Sequence, residues 1–346
     1  MRTKHLISLT AFLTIAHPAL AQTPDRYSIS GATVAVYNLA GSVTIERGTG
    51  ANVVVEVTRA GRDAARLQVE RAEVNGRQAL VVRYPDGDVV YDGPGSGSAQ
   101  LTVRGDGTFG GGIRGDRIRI RRSGSGTRAH ADLRILVPAG RDLELNLGVG
   151  EVSANDVEGG LHIDVHSAAV RTSNTKGRLN IDTGSGSVVV NNAEGDNILI
   201  DTGSGSVEVN GIRTSDLNVD TGSGRVTGSD IVVTKLLVNT GSGAITLSDV
   251  SASDIELDTG SGAVTLGLVS QIERLVIDTG SGAVRLSVPA NLSASVDIDT
   301  GSGGINVDLP VSISRRGRTS LSGTLGSGSG RMEIDTGSGG VTIRAR

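Results

Sequence analysis

The residues best placed to do chemistry sit in one repeated motif. Asp-Thr-Gly-Ser-Gly begins at Asp182, Asp201, Asp220, Asp258, Asp278, Asp299 and Asp335, with an Asn variant at Asn239. Acid proteolysis uses the same Asp-Thr-Gly triplet, but it needs two carboxylates sharing a proton across a cleft between two lobes. Here the triplet returns at spacings of 19, 19, 19, 19, 20, 21 and 36 residues, which places the acids in a column on successive strands. Asn239 has no acid to contribute. The pattern therefore reads as a bend module, in which the Asp or Asn side chain accepts hydrogen bonds from nearby bend amides.

A carboxylate column carries its own repulsion, up to about 1 kcal/mol per adjacent pair in water and less with salt. Calcium between the strands would relieve it, yet one acid per repeat is thin for six to eight oxygen ligands. The default expectation is no cofactor, with solvated carboxylates. His162, Asp164 and His166 alternate along one expected strand, a spacing that suits metal ligation but equally a solvated face. Arg104-Gly-Asp106 and Arg114-Gly-Asp116 spell the integrin-recognition tripeptide in a chain rich in all three residues. Arg117, Arg119 and Arg121 share one strand face, open to acidic glycans or to water. No set of residues forms a catalytic constellation, so no catalytic residue is assigned.

The elements that position these residues follow from apolar spacing. Relative to the first motif residue, apolar side chains recur at −3 (Leu179, Ile198, Leu217), −1 (Ile181, Ile200, Val219), +6 (Val188, Val207, Val226) and +8 (Val190, Val209, Leu247, with Gly228 breaking the run). Within each pair the step is two, the period of a strand with one buried face. A fifth apolar site at +11 holds Val157, Ile212, Ile231, Val250 and Val269. Degenerate copies extend the series back to Asp164 and Asn146. One repeat cannot bury its apolar face alone, but stacked repeats make a continuous core. The expected fold is all-β: a right-handed parallel β-solenoid of about ten regular coils of 18–21 residues. The motif glycines fit a bend that needs φ > 0 or a close backbone approach.

Composition agrees with a thin aliphatic core. Of 346 residues 51 are Gly, aromatics are 2%, and Trp and Cys are absent. Without cysteine there is neither a disulfide framework nor a lipid-attachment thiol. The formal net charge is −4, and acids outnumber Lys and Arg in 143–346, the most regular part, which disfavours nucleic acid as a partner.

Arg2 and Lys4, the apolar run Leu6–Ala16 and Ala19-Leu20-Ala21 read as a secretory leader at 1–21. The mature chain is then expected to be soluble, without membrane insertion, in the periplasm or outside the cell. Residues 22–142 read as β-rich N-terminal coils or a cap with Gly- and Arg-rich loops, a separate β-sandwich being the alternative. Residues 143–346 read as the regular solenoid, with a protruding basic, flexible loop inserted at 310–330. The last strand carries Arg344 and Arg346, charges that would guard an open sheet edge.

Val34–Ile45 aligns without a gap on Leu179–Val190, and Val137-Pro-Ala-Gly140 leads into the regular repeats. Together with the Asp-Thr-Gly-Ser-Gly copies, these segments resemble the bacterial putative-adhesin β-strand repeat family over essentially the whole mature chain. The resemblance implies a β-solenoid in an exported or envelope-associated protein and brings no catalytic residues. The functional expectation is a non-enzymatic adhesin-like or scaffold module of the bacterial envelope, its partner an unidentified envelope protein or glycan. A carbohydrate-active β-helix enzyme, a polysaccharide lyase or hydrolase, is the alternative. Such clefts rely on aromatic platforms and a paired acid and base, and every Tyr lies before residue 92.

Overall fold

The computed structural model describes residues 23–95, 97–110 and 114–346; the expected leader at 1–21 lies outside them. The described residues form an all-β protein with one mostly parallel 22-stranded sheet and a separate three-stranded sheet. The sole helix among them is a single 3-10 turn at Ala64–Arg66, and no helix there is long and apolar enough to cross a membrane.

The chain opens with β1 (Asp25–Ile29), β2 (Thr33–Gly48), β3 (Val53–Ala60), β4 (Gln68–Val74) and β5 (Arg77–Arg83). Next come β6 (Val89–Val90), β7 (Ala99–Val103), β8 (Asp116–Arg121) and β9 (His130–Pro138). Then β10 (Asp142–Asn155) returns to lie beside β2, in parallel, with Val34 opposite Leu143 and Ile45 opposite Ala154. That register continues into the repeats and brings Val34 into line with Leu179, as the gap-free alignment requires. The N-terminal segment is therefore built directly onto the regular sheet. On the far side of β2, β5 and β9 pair with it in parallel, while β1–β3, β3–β9 and β4–β5 are antiparallel.

The regular part follows with β11 (Leu161–Lys176), β12 (Leu179–Thr183), β13 (Val188–Thr202), β14 (Val207–Thr221), β15 (Val226–Thr240) and β16 (Ile245–Thr259). Neighbours pair in parallel and in register, so Asn146, Asp164, Asp182, Asp201, Asp220, Asn239 and Asp258 stand opposite one another in turn. Similar neighbours in register set apolar sites against one another, Gly228 at +8 being an exception, and Ile181, Ile200, Val219, Val207, Val226 and Val250 are all essentially inaccessible. A single core cluster runs from Ile29 to Ile343.

Between +8 and +11 the chain turns through a left-handed residue at +10. Asp156 (φ 57°), Asn174 (53°), Asn192 (54°), Gly211 (66°), Asp230 (55°) and Asp249 (54°) occupy it. Asn, Asp and Gly are the residues that tolerate this region at least cost. Asn192 donates from Nδ2 to Asn174 Oδ1 (3.2 Å), and Asn174 to Asp156 Oδ1 (2.9 Å), tying three successive corners together.

The C-terminal third departs from the expected order. It comprises β17 (Val264–Leu268), β18 (Arg274–Thr279), β19 (Val284–Val288), β20 (Ala294–Thr300) and β21 (Ile305–Asp308), then β22 (Val311–Arg316), β23 (Ser320–Leu325), β24 (Gly330–Thr336) and β25 (Val341–Ala345). The last two strands slot inside: β24 lies between β18 and β20, and β25 between β19 and β21. Asp335 thus stands between Asp278 and Asp299. Insertion pairs both edges of the final strands, so Arg344 guards no sheet edge. Residues 310–330 are not a flexible loop: β22 and β23 form an antiparallel hairpin, and β23 covers the outer edge of β20. Among the described residues β21 pairs with β25 alone, and Ile305 and Val307 are only half-buried. Val269 is 45% exposed and Leu268 takes its inward place, because the register shifts between Leu247 and Val250.

Candidate functional site

The alternation of the strands decides what the motif presents to solvent. Residue −1 points inward, so the first motif residue points outward and the Thr after it inward. Asp182, Asp201, Asp220, Asp258, Asp278, Asp299 and Asp335 are accordingly exposed, Asn239 is half-exposed, and Thr183, Thr202, Thr221, Thr240, Thr259, Thr279, Thr300 and Thr336 are all buried. The expectation that Asp or Asn satisfies the bend amides is thereby corrected. The Thr hydroxyl does so: Gly224 N–H donates to Thr221 Oγ1 (3.0 Å), and that hydroxyl donates to the Gly205 carbonyl of the preceding repeat (3.1 Å). The same pair of bonds recurs at Thr202, Thr240, Thr259, Thr279 and Thr336. The two-residue period from Ile181 to Thr183 carries this signal in the sequence.

What faces outward is one ladder of acids on one sheet. Carboxylates on neighbouring parallel strands, about 4.8 Å apart along the ladder, have no facing lobe with which to share a proton. Asp201 titrates above the ordinary carboxylate range through partial burial first, and then through Asp182 and Asp220. Asp335 is raised in the same way, by burial and then by Asp278, Asp299 and Glu333.

A folded-state carboxyl pKa raised above its unfolded value means that the native state binds more protons across that window. The associated stability is full below the unfolded carboxyl pKa and is lost as pH rises through the folded one. Replacing Asp201 by Asn, the residue the column already uses at Asn239, is therefore expected to stabilise the protein at pH 7 and low salt. The gain is at most about 1 kcal/mol, shrinking in 0.5 M NaCl and near pH 4. Thermal melts at the four combinations of pH and salt measure it; a lower melting temperature at pH 7 and low salt would refute the repulsive column.

The N-terminal loops cover the start of the ladder. Tyr37 takes the first ladder position and stacks edge-on against Phe109 (5.8 Å between centroids, 82°). Gly110 lies over Asn146 and Asp164. A second apolar cluster, including Ala35, Tyr37, Leu39, Tyr91, Ile118 and Ile120, packs the outer face of β2 beneath the three-stranded sheet of β6, β7 and β8. Asp164 is raised by this burial and then by Asp182, with His162 and His166 opposing.

His162 and Asp164 are half-buried and His166 is exposed, all on β11. Among the described residues no three His, Cys, Asp or Glu side chains come close enough to hold a metal ion, so the alternation along β11 does not converge. Arg104-Gly-Asp106 is folded back on itself: Asp106 Oδ1 accepts from Thr108 N (3.0 Å) and Oγ1 (2.7 Å), and Arg104 donates to that Oγ1 (3.0 Å). Partial burial works against ionisation of Asp106, but these bonds and Arg104 hold it below the usual carboxylate range. Asp116 begins β8; Arg117 and Arg119 are exposed, and Arg121 pairs with Asp88.

The class defined by these observations is an all-β repeat protein whose motif organises a mostly parallel sheet. The chain belongs to the Toastrack DUF4097 family, whose model matches residues 34–344, in agreement with the resemblance read from its repeats. A solved structure of a putative cell adhesion protein from Clostridium sporogenes aligns over 93% of this chain and 100% of its own, at 10% identity and a TM-score of 0.23. A likeness at that level carries no weight for this chain's architecture or activity. None of the curated proteins matches.

Proposed function

We propose that the protein is an exported, non-enzymatic module of the bacterial envelope that acts as an adhesin-like or scaffold surface. Its regular part is then a right-handed β-solenoid of about ten coils, released as a soluble chain into the periplasm or beyond after cleavage near Ala21. The observation that supports this reading best is the in-register parallel pairing from β10 to β16, which repeats one polar outward face instead of building a cleft. The continuous core cluster running from Ile29 to Ile343 supports the reading of a rigid base for that face. The basic, apolar and small-residue order of residues 2–21 supports export.

The rival reading, a polysaccharide lyase or hydrolase, needs a paired acid and base with sugar-stacking rings. Tyr27, Tyr37, Tyr84, Tyr91 and Phe109 all lie in the first third, and Tyr37, Tyr91 and Phe109 are buried. A glycan array and a polysaccharide-turnover screen on the purified protein separate the two. Binding without turnover is expected. Release of reducing or unsaturated ends, abolished by one point substitution, would overturn the module reading.

A further inference from the structure

Arg344 is freed from its expected role by the pairing of β25 on both sides, so its exposed guanidinium needs another account. In register, Thr246, Thr265, Arg285 and Thr342 form one outward row across β16, β17, β19 and β25. Gly267, Ser287 and Arg344 form the next row, two residues along the strands. The rows line an open trough of about 460 Å³ that Ser248 and Arg346 also border. Arg346 is held there by Asp249 (2.6 Å).

Arg285 and Arg344 are exposed, and neither is among the ion pairs of the described residues. Asp308 stands opposite Arg344 in register but lies outside the trough lining.

Gly267 keeps the floor low. Unlike the bend glycines, it is not forced to be glycine: a Cβ there would meet its nearest atom, Ser248 Cα, at 3.6 Å, an ordinary contact. The trough is therefore open because this position carries no side chain.

We propose that this face binds an extended acidic polysaccharide, with Arg285 and Arg344 anchoring its anionic groups. The proposal rests on the adhesin-like reading and supplies it with a ligand class. Two guanidinium forks set diagonally on neighbouring strands, about 8 Å apart at Cα, match carboxylates or sulfates on successive sugars. The Thr246, Ser248, Thr265, Ser287 and Thr342 hydroxyls donate to and accept from sugar hydroxyls. Among the described residues no aromatic ring lines the trough, which removes the stacking platform that single-stranded nucleic acid uses.

The test is titration calorimetry of the whole protein with oligogalacturonate (carboxylate), heparin oligosaccharide (sulfate), dextran (neutral) and single-stranded DNA. One or both acidic glycans are expected to bind, more weakly in 0.3 M than in 0.05 M NaCl, while dextran does not. Arg285→Ala and Arg344→Ala should each weaken binding about tenfold. Gly267→Glu should abolish it with an unchanged melting temperature.

Equal binding by the three variants, equal binding of DNA, or failure of both acidic glycans overturns the site. Failure of the site alongside another array ligand leaves the adhesin-like reading standing. Cleavage of a bound glycan overturns that reading itself.

Discussion

Replacing Gly224 by alanine is expected to destabilise the protein by about 3 kcal/mol or more, read as the shift of a urea unfolding curve. A Cβ at Gly224 would lie 1.8 Å from the Gly205 carbonyl oxygen, 2.6 Å from its carbon and 2.7 Å from Thr221 Oγ1. Each of these atoms is fixed, the first two by the backbone and the third by its two hydrogen bonds. No rotamer relieves the clash, so the two repeats must part and strain the ladder between β14 and β15. Gly224 is not in the left-handed region. Of the two reasons a bend can demand glycine, the close approach of backbones from adjacent repeats is the one that operates. Gly267→Ala is the internal control: with only ordinary contacts around it, it should leave stability unchanged or raise it by about 0.5–1 kcal/mol through reduced freedom of the unfolded chain. Equal losses at both positions would show that the close approach is not what selects glycine.

The second large effect is expected at Thr221. Thr221→Val keeps the volume but leaves the buried Gly224 N–H and Gly205 carbonyl without their hydroxyl partner. Each orphaned group costs about 1–3 kcal/mol, so a loss of about 2–6 kcal/mol is expected from the pair. Asp220→Asn, one residue away, should be neutral or slightly stabilising, because its exposed side chain takes no part in the bend. Chemical denaturation of the two variants compares them directly. A larger loss at Asp220 than at Thr221 would restore the carboxylate as the capping group. Because the hydroxyl bonds both its own bend and the preceding repeat, its loss also uncouples neighbours, and broadening of the transition is the expected companion.

Much of this was legible in the residues. The two-residue steps at −3 and −1 and at +6 and +8 give strands with one buried face, and the sites so identified are buried throughout the central repeats. Two further signals stand in the sequence. Extending the inward step from Ile181 by two reaches Thr183, so the hydroxyl had to be inside and Asp182 outside. Position +10 holds only Asn, Asp or Gly from Asp156 to Asp249, the composition of a left-handed corner. Likewise the unbroken apolar run Val34-Ala-Val-Tyr37 marks a strand covered on both faces, which the second cluster over β2 provides.

The candidate surface was less legible than the sheet. The His162, Asp164, His166 spacing is that of a ligand set, yet alternation along one strand does not bring three side chains to one point. The trough between Arg285 and Arg344 could not be read at all. Those residues are 59 apart in the chain and become neighbours only because β25 pairs with β19.

The sequence by itself determined the strands, their inward faces, the bends and the register in which repeats meet, because each follows from local period and residue type. It did not determine the order in which the last repeats meet. Asp278, Asp299 and Asp335 open identical motifs, so any of them can lie beside any other with the same hydrogen bonds and the same apolar contacts. Only the assembled molecule separates these arrangements. Slotting β24 and β25 inward pairs both of their edges and lets β23 cover β20, which a simple succession of repeats leaves open. That choice, made by long-range pairing, brings Arg344 beside the Arg285 row.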